Sequence, residues 1–211
     1  MDILISSRNR DKIREIKTLL SSLPFSVFTP YDFDDLPDVE EDKNTLLGNA
    51  LKKGRELTEI TGLPTIADDT GLFIDALAGE PGIYAARYAG EHCSYADNRH
   101  KVLRLMANKI DRSARFMTVA VFVRPGAEPL VAEGIVEGEI TEEERGDKGF
   151  GYDNIFRLRE GRKTFAEMEE EEKNLFSHRG IAFRKLAAKI QEAYEAGSLV
   201  NDIDKHKMEE Q

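Results

Sequence analysis

Hydrophobic positions along the chain switch between a strand-like and a helix-like period. Asp2 to Ser6 alternates and then runs apolar, which predicts a first strand, and Arg10 to Ser22 follows with Ile13, Ile16, Leu19 and Leu20 at helical spacing. Phe25 to Phe28 predicts a short second strand. A helix from about Thr45 to Thr61 has Leu46, Leu47, Ala50, Leu51, Leu57 and Ile60 as its buried stripe, with Lys52, Lys53 and Arg55 on or beside a solvated face. Gly62-Leu63-Pro64 ends it, and the apolar segment to Ala67 predicts a short buried strand that stops at Asp68-Asp69 before a glycine turn. Beyond a tight turn at Gly79 to Gly82, Ser94 or Asp97 caps a helix reaching about Lys109. Arg115 to Arg124 and Leu130 to Ile140 predict a long antiparallel hairpin, then come a short strand from Ile155 to Leu158 and a helix from about Arg179 to Ala196. There is no repeat and no dividing linker, so 1–197 is expected as a single domain and 198–211 as a polar, flexible tail.

With 211 residues, the chain can build one sizeable core, or two small lobes around a cleft. The apolar and charged fractions, 40% and 33%, fit a soluble protein, and no apolar run approaches the roughly 18 residues of a membrane span. The first residues carry no basic leader, so a cytoplasmic location is expected. Cys93 stands alone, which excludes an internal disulfide and reads as an incidental thiol. A net charge of −10 argues against sequence-independent binding of a nucleic acid polymer. Acid is nevertheless concentrated in runs such as Glu40-Glu41-Asp42 and Glu169 to Glu172, so a local cationic pocket for a small polyanion can persist.

Four stretches carry candidate chemistry. In Ala67-Asp68-Asp69-Thr70-Gly71-Leu72, two carboxylates at a strand end can bind a hard divalent cation or orient a water, or else cap a turn. Ser7-Arg8-Asn9-Arg10-Asp11-Lys12 leads into a helix N-terminus, where unpaired N–H groups and the dipole favour an anion; simple capping by Ser7 or Asn9 is the alternative. Gly146 to Asp153 interleaves glycines with Phe150 and Tyr152, which suits stacking on a planar ring or a plain loop with core aromatics. Ser177 caps a helix that opens on His178 and Arg179, cations at the end where the dipole does not favour them.

Together these motifs resemble the non-canonical purine nucleoside triphosphate pyrophosphatases, the inosine triphosphatase-like family, over nearly the whole chain. Ser7, Asn9, Lys12 and Glu15 meet the pattern Ser/Thr-x-Asn-x-x-Lys-x-x-Glu; Ala67 to Leu72, Ala76 to Gly82 and Ala86 to Tyr88 meet the central one; Gly149 to Asp153, Glu172 to Asn174 and Ser177 to Arg179 meet the late ones. Asn154 replaces a usual proline, and Gly48 replaces a usual glutamate, which removes a carboxylate and lowers helix propensity by about 1 kcal/mol relative to Ala. The resemblance implies an α/β fold, an elongated mixed β-sheet flanked by helices, with two lobes around a nucleotide-binding cleft. It also implies a house-cleaning homodimer that hydrolyses ITP, dITP or XTP to monophosphate and pyrophosphate with Mg²⁺. Ser7, Arg8, Asn9, Arg10, Asp11, Lys12, Lys53 and Lys173 would then hold the triphosphate, with Thr70 on a phosphate oxygen. Asp69 would touch the metal and orient or deprotonate water, supported by Asp68 and by Glu40 or Glu41. Phe150, Gly151 and Tyr152 would bound the base, Asp153 would fix its ring N–H, and His178 and Arg179 would donate to its 6-oxygen. The alternatives are a pyrophosphatase for other modified bases and a nucleotide-binding module without turnover, for which Gly48 is the supporting feature.

Overall fold

The structure is a computed structural model and describes residues 1–197, so the expected tail at 198–211 lies outside the described residues. β1 (Asp2–Ile5) leads into α1 (Arg10–Leu19), whose cap is Asn9: its side-chain oxygen accepts from the Asp11 and Lys12 amides. β2 (Ser26–Phe28) and α2 (Leu46–Thr61) follow, α2 opening on Thr45 and closing on Gly62 in the left-handed region. The remaining elements are β3 (Thr65–Ile74), β4 (Pro81–Gly82), α3 (Tyr95–Met106), β5 (Ser113–Val123), β6 (Leu130–Ile140), β7 (Phe156–Leu158), α4 (Glu170–Phe176) and α5 (His178–Glu195).

One mixed sheet runs in the order β2-β1-β3-β5-β6-β7, with β4 also on β3. β1 is parallel to β2 and β3, and every later pairing is antiparallel. β3 and β5 cross the whole molecule, about 30 Å at ~3.4 Å per residue. At one end Ile66, Ala120 and Phe122 pack with Ile13, Ile16, Phe183 and Leu186 of α1 and α5. The alternate positions Ala67, Val119, Val121 and Val123 meet Leu46 and Ala50 of α2 on the other face. At the far end Leu72, Ile74, Ala114 and Phe116 enter a second cluster with Val102, Met106 and Phe156. The two clusters are the two lobes, and the cleft lies between them.

The position of the cleft follows from strand pairing. β1 accompanies β3 only at Thr65 and Ile66, and β4 joins the same strand only at Leu72 and Phe73. The stretch between, which carries Asp68, Asp69 and Thr70, lacks a strand neighbour on one edge. Here the structure differs from the expected turn: β3 runs straight through Thr70 and Gly71, paired with Thr118 and Met117 of β5. Gly71 is there for close approach, since a Cβ would lie 2.8 Å from the Gly82 carbonyl oxygen. Gly134 serves α5 in the same way. A Cβ on it would overlap the His178 carbonyl and lie 2.6 Å from the Ala182 nitrogen, so its absence lets the start of α5 settle on β6.

Candidate active site

Two adjoining hollows open between the lobes. The first is lined by Asp69, Thr70, Phe150, Asp153, His178 and Arg179, among others, and the second by Ser7, Arg8, Lys53 and Asp68. Asn9, Lys12, Glu41, Ala86 and Tyr95 belong to both, so the hollows form one continuous cleft. Its first half is walled by aromatic rings and its second by cations and a helix N-terminus.

Strand periodicity sends Asp68 and Asp69 to opposite faces of β3. The Asp68 carboxylate lies 3.4 Å from the Lys12 ammonium and 3.5 Å from Nε of Arg179, and it accepts from the Thr70 hydroxyl at 3.3 Å. Burial opposes its ionisation, but Lys12, Arg179 and Lys53 outweigh burial and hold it well below the usual carboxylate range. Asp69 accepts from the Asn49 side-chain amide at 3.0 Å and from the Thr70 N–H at 2.9 Å. Burial pushes its carboxyl up; Lys53 pulls against that and Glu41 adds to it. One acid is thus held ionised as a counter-ion, whereas burial disfavours the charge on the other.

A ladder of alternating charge runs beneath the cleft. Lys173 donates to Asp153 and to Glu15, both at 2.7 Å, and Arg179 donates to the other oxygen of Glu15 at 2.7 Å and reaches Asp68 beyond it. Burial opposes the charge on Glu15, yet Arg179 and Lys173 hold its carboxyl below the ordinary value. For Asp153 burial wins against Lys173 and its carboxyl is pushed up. The ammonium of Lys173 also lies 5.0 Å from the Phe150 ring centroid, which puts it behind the aromatic half and outside both hollows, not among the groups expected on the triphosphate.

In the glycine-rich loop, Asp153 accepts from the Phe150 N–H at 2.8 Å. Gly149, at φ 69°, leaves room for that carboxylate where any Cβ would overlap it. Tyr152 is buried and its hydroxyl donates to the Ala85 carbonyl at 2.7 Å, so Phe150 is the half-exposed ring free to stack. His178 lies on Phe116, ring centroids 4.3 Å apart. Burial, then Arg179 and Lys173, push its pKa well below the ordinary value, so the imidazole is neutral. Its buried Nδ1 has no hydrogen-bond partner among the described residues.

A sequence model of the Ham1 family matches residues 3–189. The chain belongs to the Ham1 family. A Vibrio cholerae protein named dITP/XTP pyrophosphatase is 45% identical over 194 residues, covering 90% of this chain and 96% of that one. A Bacillus licheniformis protein of the same name is 41% identical over 194 residues, 91% and 99% of the two chains. The solved structure of a HAM1 protein from Coxiella burnetii superposes with a TM-score of 0.83 at 40% identity, over 92% of this chain and all of that one. The family expected from the motifs is the family found.

Within this Ham1-family site several expectations change. Lys53 is not on a solvated face: it is buried and donates to Glu41 and to the Asp68 backbone carbonyl, both at 2.6 Å, because that carbonyl lies on the unpaired edge of β3. The structure brings Glu41 to the cleft, while Glu40 is exposed outside both hollows and offers its carbonyl to Lys52. Arg10 and Asp11 also lie outside the hollows, Arg10 over the Tyr31 ring and Asp11 against Arg14. Arg8 lines the cationic half and pairs with Asp38. His178 is no cation at an unfavourable helix end, and Arg179 is compensated by Glu15 and Asp68. Gly48 is the third residue of α2, where Thr45 accepts from its N–H, and it lies outside both hollows. Glu15, Asn49 and Tyr95 join the site without a role that sequence reasoning assigns them. The available signal for Glu15 is an acid inside the Ile13–Ile16 stripe of α1.

Proposed function

We infer that this Ham1-family protein is a house-cleaning nucleoside triphosphate pyrophosphatase, hydrolysing ITP, dITP and XTP to the monophosphate and pyrophosphate. The carrying observation is a single cleft that joins an aromatic, donor-lined half, which holds Asp69, to a cationic half across Lys12 and Glu41, in a chain that shares 41–45% identity with proteins named for this activity. Ser7, Asn9, Lys12, Arg8 and Lys53 take the triphosphate, since phosphoryl transfer is largely positioning and charge neutralisation. Asp69 orients the attacking water and accepts its proton as the α–β anhydride breaks, held in place by the Asn49 amide and the Thr70 N–H.

The donor set fits Mg²⁺, which takes one or two carboxylates and completes its shell with water and substrate phosphates. Asp69 and Glu41 line the same hollow, and among the described residues no group of three or more His, Cys, Asp or Glu side chains is assembled. Those two carboxylates would hold the ion, which supplies charge neutralisation on the phosphates.

Base choice rests on what each group can offer. Arg179 and neutral His178 present donors where hypoxanthine and xanthine carry a 6-oxygen, and an amino group there leaves donors unpaired, a mismatch worth roughly 10⁴ or more. Phe150 stacks on the ring and Asp153 takes its N–H. The family resemblance supports a homodimer, checked by light scattering against a mass of two chains, and a cytoplasmic location.

The deciding experiment incubates the protein with ITP, dITP, XTP, ATP and GTP in Mg²⁺ and separates pyrophosphate from orthophosphate. Pyrophosphate from the first three and none from ATP, lost with Asp69→Asn and on chelation of the metal, is the expected result. Orthophosphate release refutes the reaction, and turnover confined to a modified base outside this set moves the activity to another substrate.

A further inference from the structure

The wall shared by the two hollows has a chemical meaning that rests on the functional reading above. In a nucleoside triphosphate the sugar joins base to phosphates, so the wall common to both hollows borders the sugar as well as the phosphates and metal that Asn9, Lys12 and Glu41 would hold. Most of its residues are committed elsewhere. Lys12 faces Asp68, Glu41 holds Lys53, Ala86 has no polar side chain, and the Asn9 side-chain oxygen caps α1. What remains is the Asn9 amide and the Tyr95 hydroxyl, and these meet: the amide donates to the phenol oxygen at 2.7 Å.

The backbone of Tyr95 is fixed by the start of α3, and the residue is 40% exposed on the cleft wall. It is the first residue of α3, directly after Ser94, whose hydroxyl and backbone N–H both engage Asp97 in a capping box. Its ring centroid is 6.0 Å from that of Phe150, with the planes 39° apart. A base sandwiched between two rings needs about 7 Å, two contacts of ~3.5 Å, so Tyr95 is not a second stacking face. Burial pushes the phenol up against the lowering effect of the Asn9 amide, which keeps its proton in place at neutral pH. The oxygen accepts from Asn9, and the proton has no acceptor among the described residues.

We propose that Tyr95 is a sugar-contacting residue of the pyrophosphatase, its hydroxyl donating to a sugar oxygen of the bound nucleoside triphosphate while it accepts from Asn9. The contact ties the start of α3 to the start of α1 through the substrate and sets the reach between the stacked base and the phosphates.

Tyr95→Phe keeps the ring and deletes the hydroxyl. Pyrophosphate release from ITP gives KM, and inhibition by inorganic tripolyphosphate, which has neither sugar nor base, gives a Ki for the phosphate half alone. The expected result is a KM for ITP raised about five- to tenfold, the scale of one lost hydrogen bond. The tripolyphosphate Ki stays unchanged or falls as the Asn9 amide is released. An unchanged KM overturns the proposal. So does a KM and Ki rising in the same proportion, which would make Tyr95 merely a holder of Asn9. If the wild-type protein releases no pyrophosphate from ITP, the functional reading itself has failed and takes this proposal with it, a result seen with the wild type alone.

Discussion

Replacing Glu15 by glutamine removes the carboxylate that stands between Lys173 and Arg179. Its two oxygens each take a cation at 2.7 Å, and all three side chains are at most 5% exposed. At an effective dielectric of about 20 each contact carries about 6 kcal/mol of Coulomb energy, much of which is cancelled by the desolvation of the ions. The variant leaves Lys173 to Asp153 and Arg179 to Asp68, and breaking a buried pair of this kind costs about 3–5 kcal/mol. In a chain of this length each kcal/mol lowers the melting temperature by about 2–4 °C, so Glu15→Gln should melt roughly 6–20 °C below the wild type at neutral pH. The loss depends on pH with a definite sign. The folded protein holds the Glu15 carboxyl below its ordinary value, because Arg179 and Lys173 outweigh burial. Its stabilisation is complete above the unfolded pKa of about 4.3 and fades as pH falls from there toward the folded value. Melting curves from about pH 7 down to about pH 3 should show the two proteins converging. A penalty below about 1 kcal/mol at neutral pH, or a gap that stays constant on acidification, refutes the charge-ladder account.

Binding of Mg²⁺ to the free protein should weaken as pH drops through a pKa above the ordinary aspartate value of about 3.9, since burial raises Asp69 and its carboxyl must lose a proton to hold the ion. Lys53→Met, which removes the cation pulling Asp69 down, should move that acid limb upward in a pH–affinity profile, and an unmoved limb contradicts the assignment. Gly149→Ala places a Cβ at φ 69° and onto the Asp153 carboxylate. It should cost about 1–2 kcal/mol in backbone strain and raise KM for ITP. Gly134→Ala should push α5 away from β6 and lower stability by about 1–3 kcal/mol or more, read as a lower urea midpoint; a change under ~0.5 kcal/mol would show that the two elements have slack.

Elements with clean periodicity are legible in the sequence. α2 begins one residue after the expected Thr45, and β6 occupies Leu130–Ile140 as its pattern predicts. β3 reads too short because Asp-Thr-Gly has local turn chemistry, whereas ten paired residues on β5 override it. α4 is hidden in an acidic run whose glutamates, in the first helical turn, are favoured by the dipole. In the cleft, motif spacing supplies the candidate groups but not their surroundings. Lys53 reads as a surface lysine by helical phase and is buried because α2 lies over an unpaired strand edge. His178 reads as a cation from its neighbour and is neutral because of depth and two nearby charges. Glu40 and Glu41 are adjacent in a loop, where no period tells which one faces inward.

Asp68 and Asp69 are chemically identical and adjacent, yet one is a permanent counter-ion and the other the proposed proton acceptor. What separates them is register alone. A slip of β3 by one residue would send each to the opposite face, so that Asp69 stood against Lys12 and Arg179 while Thr70 took its place beside Asn49. The unbroken pairing with β5 from Thr65–Val123 to Ile74–Ala114, together with Gly71 seated against Gly82, forbids that slip. The long β3–β5 ladder therefore does more than span two lobes. It is a proofreading ruler that decides which of two interchangeable letters in the sequence becomes the reactive one.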